Sequence, residues 1–192
     1  KDRSGVALYG LDYDASDAGG ASGKFGEAAI FNGSSSFIEA EDSSSNTFGF
    51  ANHTGSISAW VNIDSLSSEN PILSKRDSGN PGNRQWYLRV LTSGAVEFEL
   101  FNTDTASDNV NSTTTLNTNQ WYHIVATLTT SNLKIYINGV EDVSESSTYS
   151  TIQNDGADLE IGRRGTNTGH AYFDGKIDQV RIFNTALTQS QV

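Results

Sequence analysis

The sequence predicts an all-β fold, a two-sheet antiparallel jelly-roll sandwich, and three observations carry that prediction. Apolar residues alternate with polar ones in short runs at 6–11, 28–31, 37–40, 57–63, 86–91, 96–101, 121–128, 133–137, 159–162 and 177–183. Clusters of Gly, Ser, Asn and Asp separate the runs, as expected where extended segments are joined by tight polar turns. No amphipathic helix of useful length interrupts the pattern. The only helical segment expected is the terminal ThrAlaLeuThrGlnSerGlnVal, where Thr185 would cap a single turn.

Taken in order, each run assigns its faces by period-two alternation. Ile57, Ala59, Val61 and Ile63 face the core and leave Trp60 and Asn62 on the other side. Trp86, Leu88 and Val90 oppose Tyr87, Arg89 and Leu91. Across Ser93-Gly94, Val96, Phe98 and Leu100 oppose Glu97, Glu99 and Phe101. Positions 122–126 are apolar on both parities, as expected of a central strand covered on both sides. A turn over Thr129–Asn132 leads into Leu133, Ile135 and Ile137, which alternate with Lys134, Tyr136 and Asn138. Asn138-Gly139 then closes a tight turn. In the last run Asp178 falls on the parity of Val180 and Ile182, an acid on an apolar stripe that needs a partner or an ion.

Composition narrows the function classes. The 192 residues suffice for one domain with a proper core, and with 35% hydrophobic and 18% charged residues the chain is not expected to be disordered. A formal net charge of −11, with scattered Lys and Arg, excludes nucleic acid and anionic membranes as partners. Acidity favours cations, and loop Asp suits calcium, although solubility alone accounts for such a charge. Without cysteine there is no disulfide framework and no thiol nucleophile. The chain has no membrane-length apolar run and starts with LysAspArgSer. It is expected to be a monomeric module, residues 1–192, of a larger secreted or cell-surface protein.

Four blocks resemble, in order, the laminin-G-like domains of the concanavalin A-like lectin and glucanase superfamily. They are GlyLysPheGlyGluAlaAlaIlePheAsnGly (23–33) with PheIleGluAla (37–40), GlySerIleSerAlaTrpValAsnIle (55–63), the hairpin at 119–141, and PheAspGlyLysIleAspGlnValArgIlePheAsnThrAlaLeuThr (173–188). The resemblance implies a structural calcium ion held by an Asp of the last strand, a Gly carbonyl and a group near the first strand. Here these are Asp178, Gly33, and the near-N-terminal Asp12 and Asp14. It also implies glycan or surface-protein partners, with a second calcium conceivable on rim loops 102–109 and 153–158.

The expected ligand surface is a concave sheet face bearing Tyr87, Arg89, Glu97, Glu99 and Phe101, with Trp60 and Tyr136 as further aromatics. Rings stack on the C–H patches of sugars, and planar polar groups satisfy the hydroxyls. The same pattern fits a face on which Arg89 is merely neutralised by Glu97 or Glu99. Arg163, Arg164, His170 and Tyr172 form a separate candidate, a pocket at a loop edge. Catalysis is not expected. The family's hydrolases carry three acids along one strand, whereas GluPheGluLeuPheAsn offers two and then Asn102. His53, His123 and His170 sit in no nucleophile or metal motif. The expected function is therefore non-catalytic carbohydrate binding in an extracellular setting, with an adhesion module as the alternative.

Overall fold

An alternating strand has one apolar face, and two sheets of such strands escape water by closing on each other. The computed structural model describes residues 11–13, 21–41, 48–50, 52–76, 84–103, 106–149, 152, 156–164 and 170–192. Among them the strands are β1 (Leu11–Tyr13), β2 (Ala21–Ser22), β3 (Glu27–Asn32), β4 (Phe37–Ala40), β5 (Gly55–Ile63), β6 (Asn70–Arg76), β7 (Arg84–Val90) and β8 (Ala95–Thr103). They continue with β9 (Ala106–Thr115), β10 (Trp121–Leu128), β11 (Asn132–Ile137), β12 (Val140–Ser146), β13 (Leu159–Ile161), β14 (Arg163–Arg164), β15 (Ala171–Tyr172) and β16 (Asp174–Phe183). The first sheet runs β1-β4-β13-β6-β7-β8-β9, and the second runs β12-β11-β10-β5-β16-β3-β2. β14 and β15 form a small separate ribbon. The two-sheet antiparallel sandwich is as the alternation predicts.

The core lies between the sheets. Ile57, Ala59, Val61 and Ile63 of β5, Trp86, Leu88 and Val90 of β7, and Val96, Phe98 and Leu100 of β8 are all essentially without solvent contact. Burying each of the large side chains is worth roughly 1.5–3 kcal/mol. Trp86 satisfies its indole by donating to the Phe48 carbonyl at 3.1 Å and stacks on Phe50 at 5.6 Å. The hairpin at 138–139 has positive φ at both turn residues, 53° and 84°, the mirror-image turn that matches strand twist.

β16 enters the second sheet between β5 and β3, pairing Ile177 with both Val61 and Ala29. At Gly175 φ is +141°, and an added Cβ would sit 2.1 Å from the Asn62 carbonyl oxygen. Only glycine lets the strands come this close. Further along, the register shifts between Asp178 and Arg181, with Gln179 at φ 52°. This bulge reverses the expected parity. Asp178 pairs with Trp60 on the outer face, while Val180 and Ile182 pack against the core.

Beyond the two-residue strands β2, β14 and β15, three longer strands were not expected from the pattern, and each of these has a physical reason. β9 and β12 are sheet edges, polar enough to hide their alternation. β6 contains Pro71, tolerated because the ladder is irregular between Pro71 and Leu73. Of the expected run at 6–11, only Leu11 lies in β1, and positions 6–10 fall outside the described residues. The described part of the rim segment 102–109 is strand, with Thr103 pairing with Ala106. The terminal turn is capped by Thr188 rather than Thr185. The Thr188 amide and hydroxyl both bond Gln191 Oε1, while the Thr185 carbonyl accepts from Ser56 Oγ.

The two edge strands are tied together by carboxylates. Asp142 of β12 accepts from the Thr113 amide at 2.6 Å and the Thr114 amide at 3.2 Å, both on β9. Asp108 of β9 accepts from the Thr148 amide at 2.7 Å and hydroxyl at 2.6 Å. Partial burial raises both carboxyl pKa values, but these hydrogen bonds outweigh it and hold both below the usual aspartate range. Their stabilisation is complete above pH ~4, where unfolded aspartate ionises, and is lost as pH falls through the lower folded values. Thermal unfolding followed by circular dichroism should show this acid loss, and it should flatten in the D108N/D142N double variant. Each single variant should cost about 1–3 kcal/mol at neutral pH.

Candidate functional site

The inward faces being committed to the core, chemistry falls to the outward residues. On the first sheet these form a row across neighbouring strands. Glu39 of β4 pairs with Glu160 of β13, Glu160 with Ser74 of β6, Ser74 with Tyr87 of β7, and Tyr87 with Glu99 of β8. Arg89 pairs with Glu97, which in turn pairs with Asn111 of β9. Period two therefore concentrates acids, arginines and aromatic rings on one surface.

Their side chains form a connected network. Arg89 donates from Nε to Glu97 at 2.7 Å and from a terminal nitrogen to Glu69 at 2.6 Å, and approaches Glu99 at 3.9 Å. The second oxygen of Glu69 accepts from Arg164, so one carboxylate bridges two guanidinium groups. Arg163 holds Glu160 at 2.6 Å and Glu39 at 3.0 Å, and its guanidinium lies 3.3 Å from the Phe37 ring centroid. Its own carbonyl accepts from Ser74 Oγ at 2.9 Å. Over the rings, Arg76 stands 4.9 Å from Phe101 and 5.3 Å from Tyr87, and Arg89 stands 4.9 Å from Tyr87.

Electrostatics follow from partial burial in a field of mixed charge. Burial, then the neighbouring Glu97 charge, pushes the Glu99 carboxyl up. Burial also raises Glu160, more than Arg163 lowers it. Burial lowers Arg76 despite the Glu99 charge beside it. Tyr87 is driven far above the usual tyrosine range by burial and by Glu69, against the opposing pull of Arg89. Its hydroxyl is buried with no hydrogen-bond partner among the described residues. Such an orphan costs about 1–3 kcal/mol unless a ligand or water satisfies it.

All seven expected ligand-contacting residues, Tyr87, Arg89, Glu97, Glu99, Phe101, Arg163 and Tyr172, are brought to this region. Tyr172 pairs with Arg163 across the β14–β15 ribbon. The two surfaces read separately in the sequence are thus one, joined through Glu69. Two corrections accompany this. Tyr87 and Phe101 are only 0% and 5% exposed, so they form a floor beneath guanidinium groups and not open stacking platforms. Glu69 and Arg76 were missed because Pro71 disguised β6 and its approach as a turn.

The calcium ligands do not converge as the resemblance implied. The Gly33 amide donates to Phe173, whereas Asp178 lies five residues beyond on β16, roughly 15 Å away at strand rise. The Asp178 carboxylate accepts instead from the Phe25 amide at 2.9 Å. Asp12 pairs with Ile38 in the other sheet, and Asp14 lies outside the described residues. Among the described residues, no three His, Asp or Glu side chains cluster as metal ligands. Gly33, Asp178 and Asp12 do not come together around a single shared ion.

The comparisons with known proteins agree on the architecture. The family model of the concanavalin A-like lectin/glucanases superfamily matches residues 23–192. Domain 4 of AbnA, a GH43 extracellular arabinanase from Geobacillus stearothermophilus solved with arabinotriose, superposes with a TM-score of 0.70 at 24% identity, covering 90% of this chain and 77% of that one. The binding domain of Paraclostridial Mosquitocidal Protein 1 gives 0.69 at 16% identity, over 88% of this chain and 43% of its own. The receptor-binding domain of botulinum neurotoxin type G gives 0.60 at 19% identity, over 84% and 40%. The chain thus spans about two fifths of the toxin chains, and at these identities the likeness is one of fold. No curated protein matches the chain in sequence.

Two variants test the network. Arg89→Ala leaves the buried Glu97 uncompensated and should cost about 3–5 kcal/mol in chemical denaturation, with R89A/E97Q recovering part of the loss. Tyr87→Phe removes the orphan hydroxyl and should leave stability unchanged or raise it by about 1 kcal/mol.

Proposed function

The chain belongs to the concanavalin A-like lectin/glucanase superfamily, and within it we propose a non-catalytic carbohydrate-binding module that works outside the cell and binds glycan on the outer face of the first sheet. The observation that carries this reading is the network of half-buried arginine and glutamate side chains around Arg89 and Glu69. Planar, multivalent groups held in place before the ligand arrives are what a hydroxyl-rich ligand needs, since their ordering is already complete.

A neutral polysaccharide suits the balanced charges better than a strongly charged partner does. Domain 4 of an extracellular arabinanase, solved in complex with arabinotriose, supports a saccharide ligand by analogy of fold. No helix among the described residues is long and apolar enough to cross a membrane. Catalysis is disfavoured because Asn102 stands where a third strand acid would be needed. Glu97 is also engaged by Arg89, which removes it as a free nucleophile.

A glycan array followed by calorimetry on the best ligand tests the proposal. Arg164→Ala, on the rim of the network, should weaken binding about tenfold, equivalent to ~1.4 kcal/mol, while the melting temperature moves little. Reducing-sugar release abolished by E99Q would overturn the non-catalytic reading, and an array without hits would overturn sugar binding.

A further inference from the structure

The opposite side of the sandwich carries a second surface that the network above does not touch. On the outer face of the second sheet, Trp60 of β5 stacks against His123 of β10 at 5.1 Å with planes 24° apart. Phe25 stands edge-on to Trp60 at 5.7 Å and is 59% exposed, an unusual fraction for a phenylalanine. Two adjoining hollows share Trp60 and His123. One, of about 380 Å³, is bordered by Phe25, Ser58, Gln179 and Arg181. The other, of about 480 Å³, reaches Lys24, Trp121 and Asn138. Volumes of this order match small-ligand sites, and two hollows that share Trp60 and His123 offer a chain more than one subsite.

The groove is built. The buried Asp178 carboxylate grips the Phe25 amide, and the Gly23 amide donates to the Gly26 carbonyl at 2.8 Å, which fixes the turn that projects Phe25. Gly23 has no room for a side chain, because an added Cβ would lie 2.7 Å from Asp178 Oδ2. His123 is locked by a 2.9 Å hydrogen bond to Ser58. Burial, then the nearby Arg181 charge, lowers its pKa, so it is a neutral hydrogen-bonding group at pH 7. The charge of the rim runs against that of the chain. In a molecule of net charge −11, Lys24 and Arg181 border the groove without an ion pair among the described residues. Among the described residues no Asp or Glu lines either hollow, and the Asp178 carboxylate is buried and already occupied by the Phe25 amide. The Lys24 ammonium hangs 4.5 Å from the Trp60 ring centroid, a cation held above an aromatic floor.

We propose that this groove binds an acidic oligosaccharide, a chain containing uronic acid, with its sugar faces against Phe25 and Trp60 and its carboxylates toward Arg181 and Lys24. Aromatic ring faces ask for sugar C–H patches, Gln179, Ser58 and Asn138 ask for hydroxyls, and the two cations ask for negative charge. A uronate residue supplies all three together. The site is independent of the first-sheet site, and either can fail without the other.

The test is calorimetry with a tetramer of α-1,4-linked galacturonic acid, a tetramer of β-1,4-linked mannuronic acid, and the methyl ester of each as a neutral control. At least one acid should bind, at least tenfold tighter than its ester and more weakly as salt rises. Arg181→Gln and Phe25→Ser, both at exposed positions, should each weaken it about tenfold, and Trp60→Ala should abolish it. Arg164→Ala should leave it intact. No binding by either acid, equal binding of acid and ester, or no effect of R181Q and F25S overturns the proposal. Loss on R164A alone moves the uronate to the first sheet, overturning the groove while sparing saccharide binding. Concentration-dependent dimerisation in ultracentrifugation, abolished by F25S, would assign the groove to a second copy of the chain instead.

Discussion

Two apolar sheet faces pressed together leave little freedom in the direction of any side chain, and that restriction governs both outer surfaces. Once Trp86, Leu88 and Val90 point inward, Tyr87 and Arg89 must point outward. A slip of one residue would drive arginine and glutamate into a dry interior, at a cost far beyond what the fold's stability can absorb. The outer chemistry is thus a by-product of the core's register.

The two outer faces then diverge for electrostatic reasons. On the first sheet acids and arginines alternate between neighbouring strands, so they neutralise one another and sink together, covering the rings of Tyr87 and Phe101. On the second sheet the outward residues are mostly uncharged. There Trp60 and His123 meet each other, and Phe25 remains in solvent. One face is a polar lattice over an aromatic floor. The other is an aromatic ridge with a cationic rim.

A single irregularity links strand geometry to that ridge. The bulge after Asp178 turns its carboxylate outward, where it captures the Phe25 amide, and lets the strand resume with Val180 and Ile182 inward. An acid that pattern analysis treats as an ion ligand is, in three dimensions, the anchor of a glycine turn. The edge aspartates behave alike. Asp108 sits in a segment expected as a cation loop, yet like Asp142 of β12 it binds amide and hydroxyl donors from across the sandwich edge. Asp in a turn-rich β protein answers backbone donors as readily as metals.

The sequence alone carried the fold class, the inward set of the central strands, the 138–139 turn and the outward grouping of Tyr87, Arg89, Glu97, Glu99 and Phe101. All of these follow from period two and turn chemistry, which are local properties of the chain. It could not reveal β6, β9 and β12, because a proline and polar edge positions erase alternation. Nor could it place Glu69 between Arg89 and Arg164, or Phe25 beside Trp60. Those meetings join residues far apart in the chain, and only strand order and a bulge in β16 bring them within a few ångströms. Periodicity says which way a side chain points. Which distant partner waits there is decided by how the sheets are assembled.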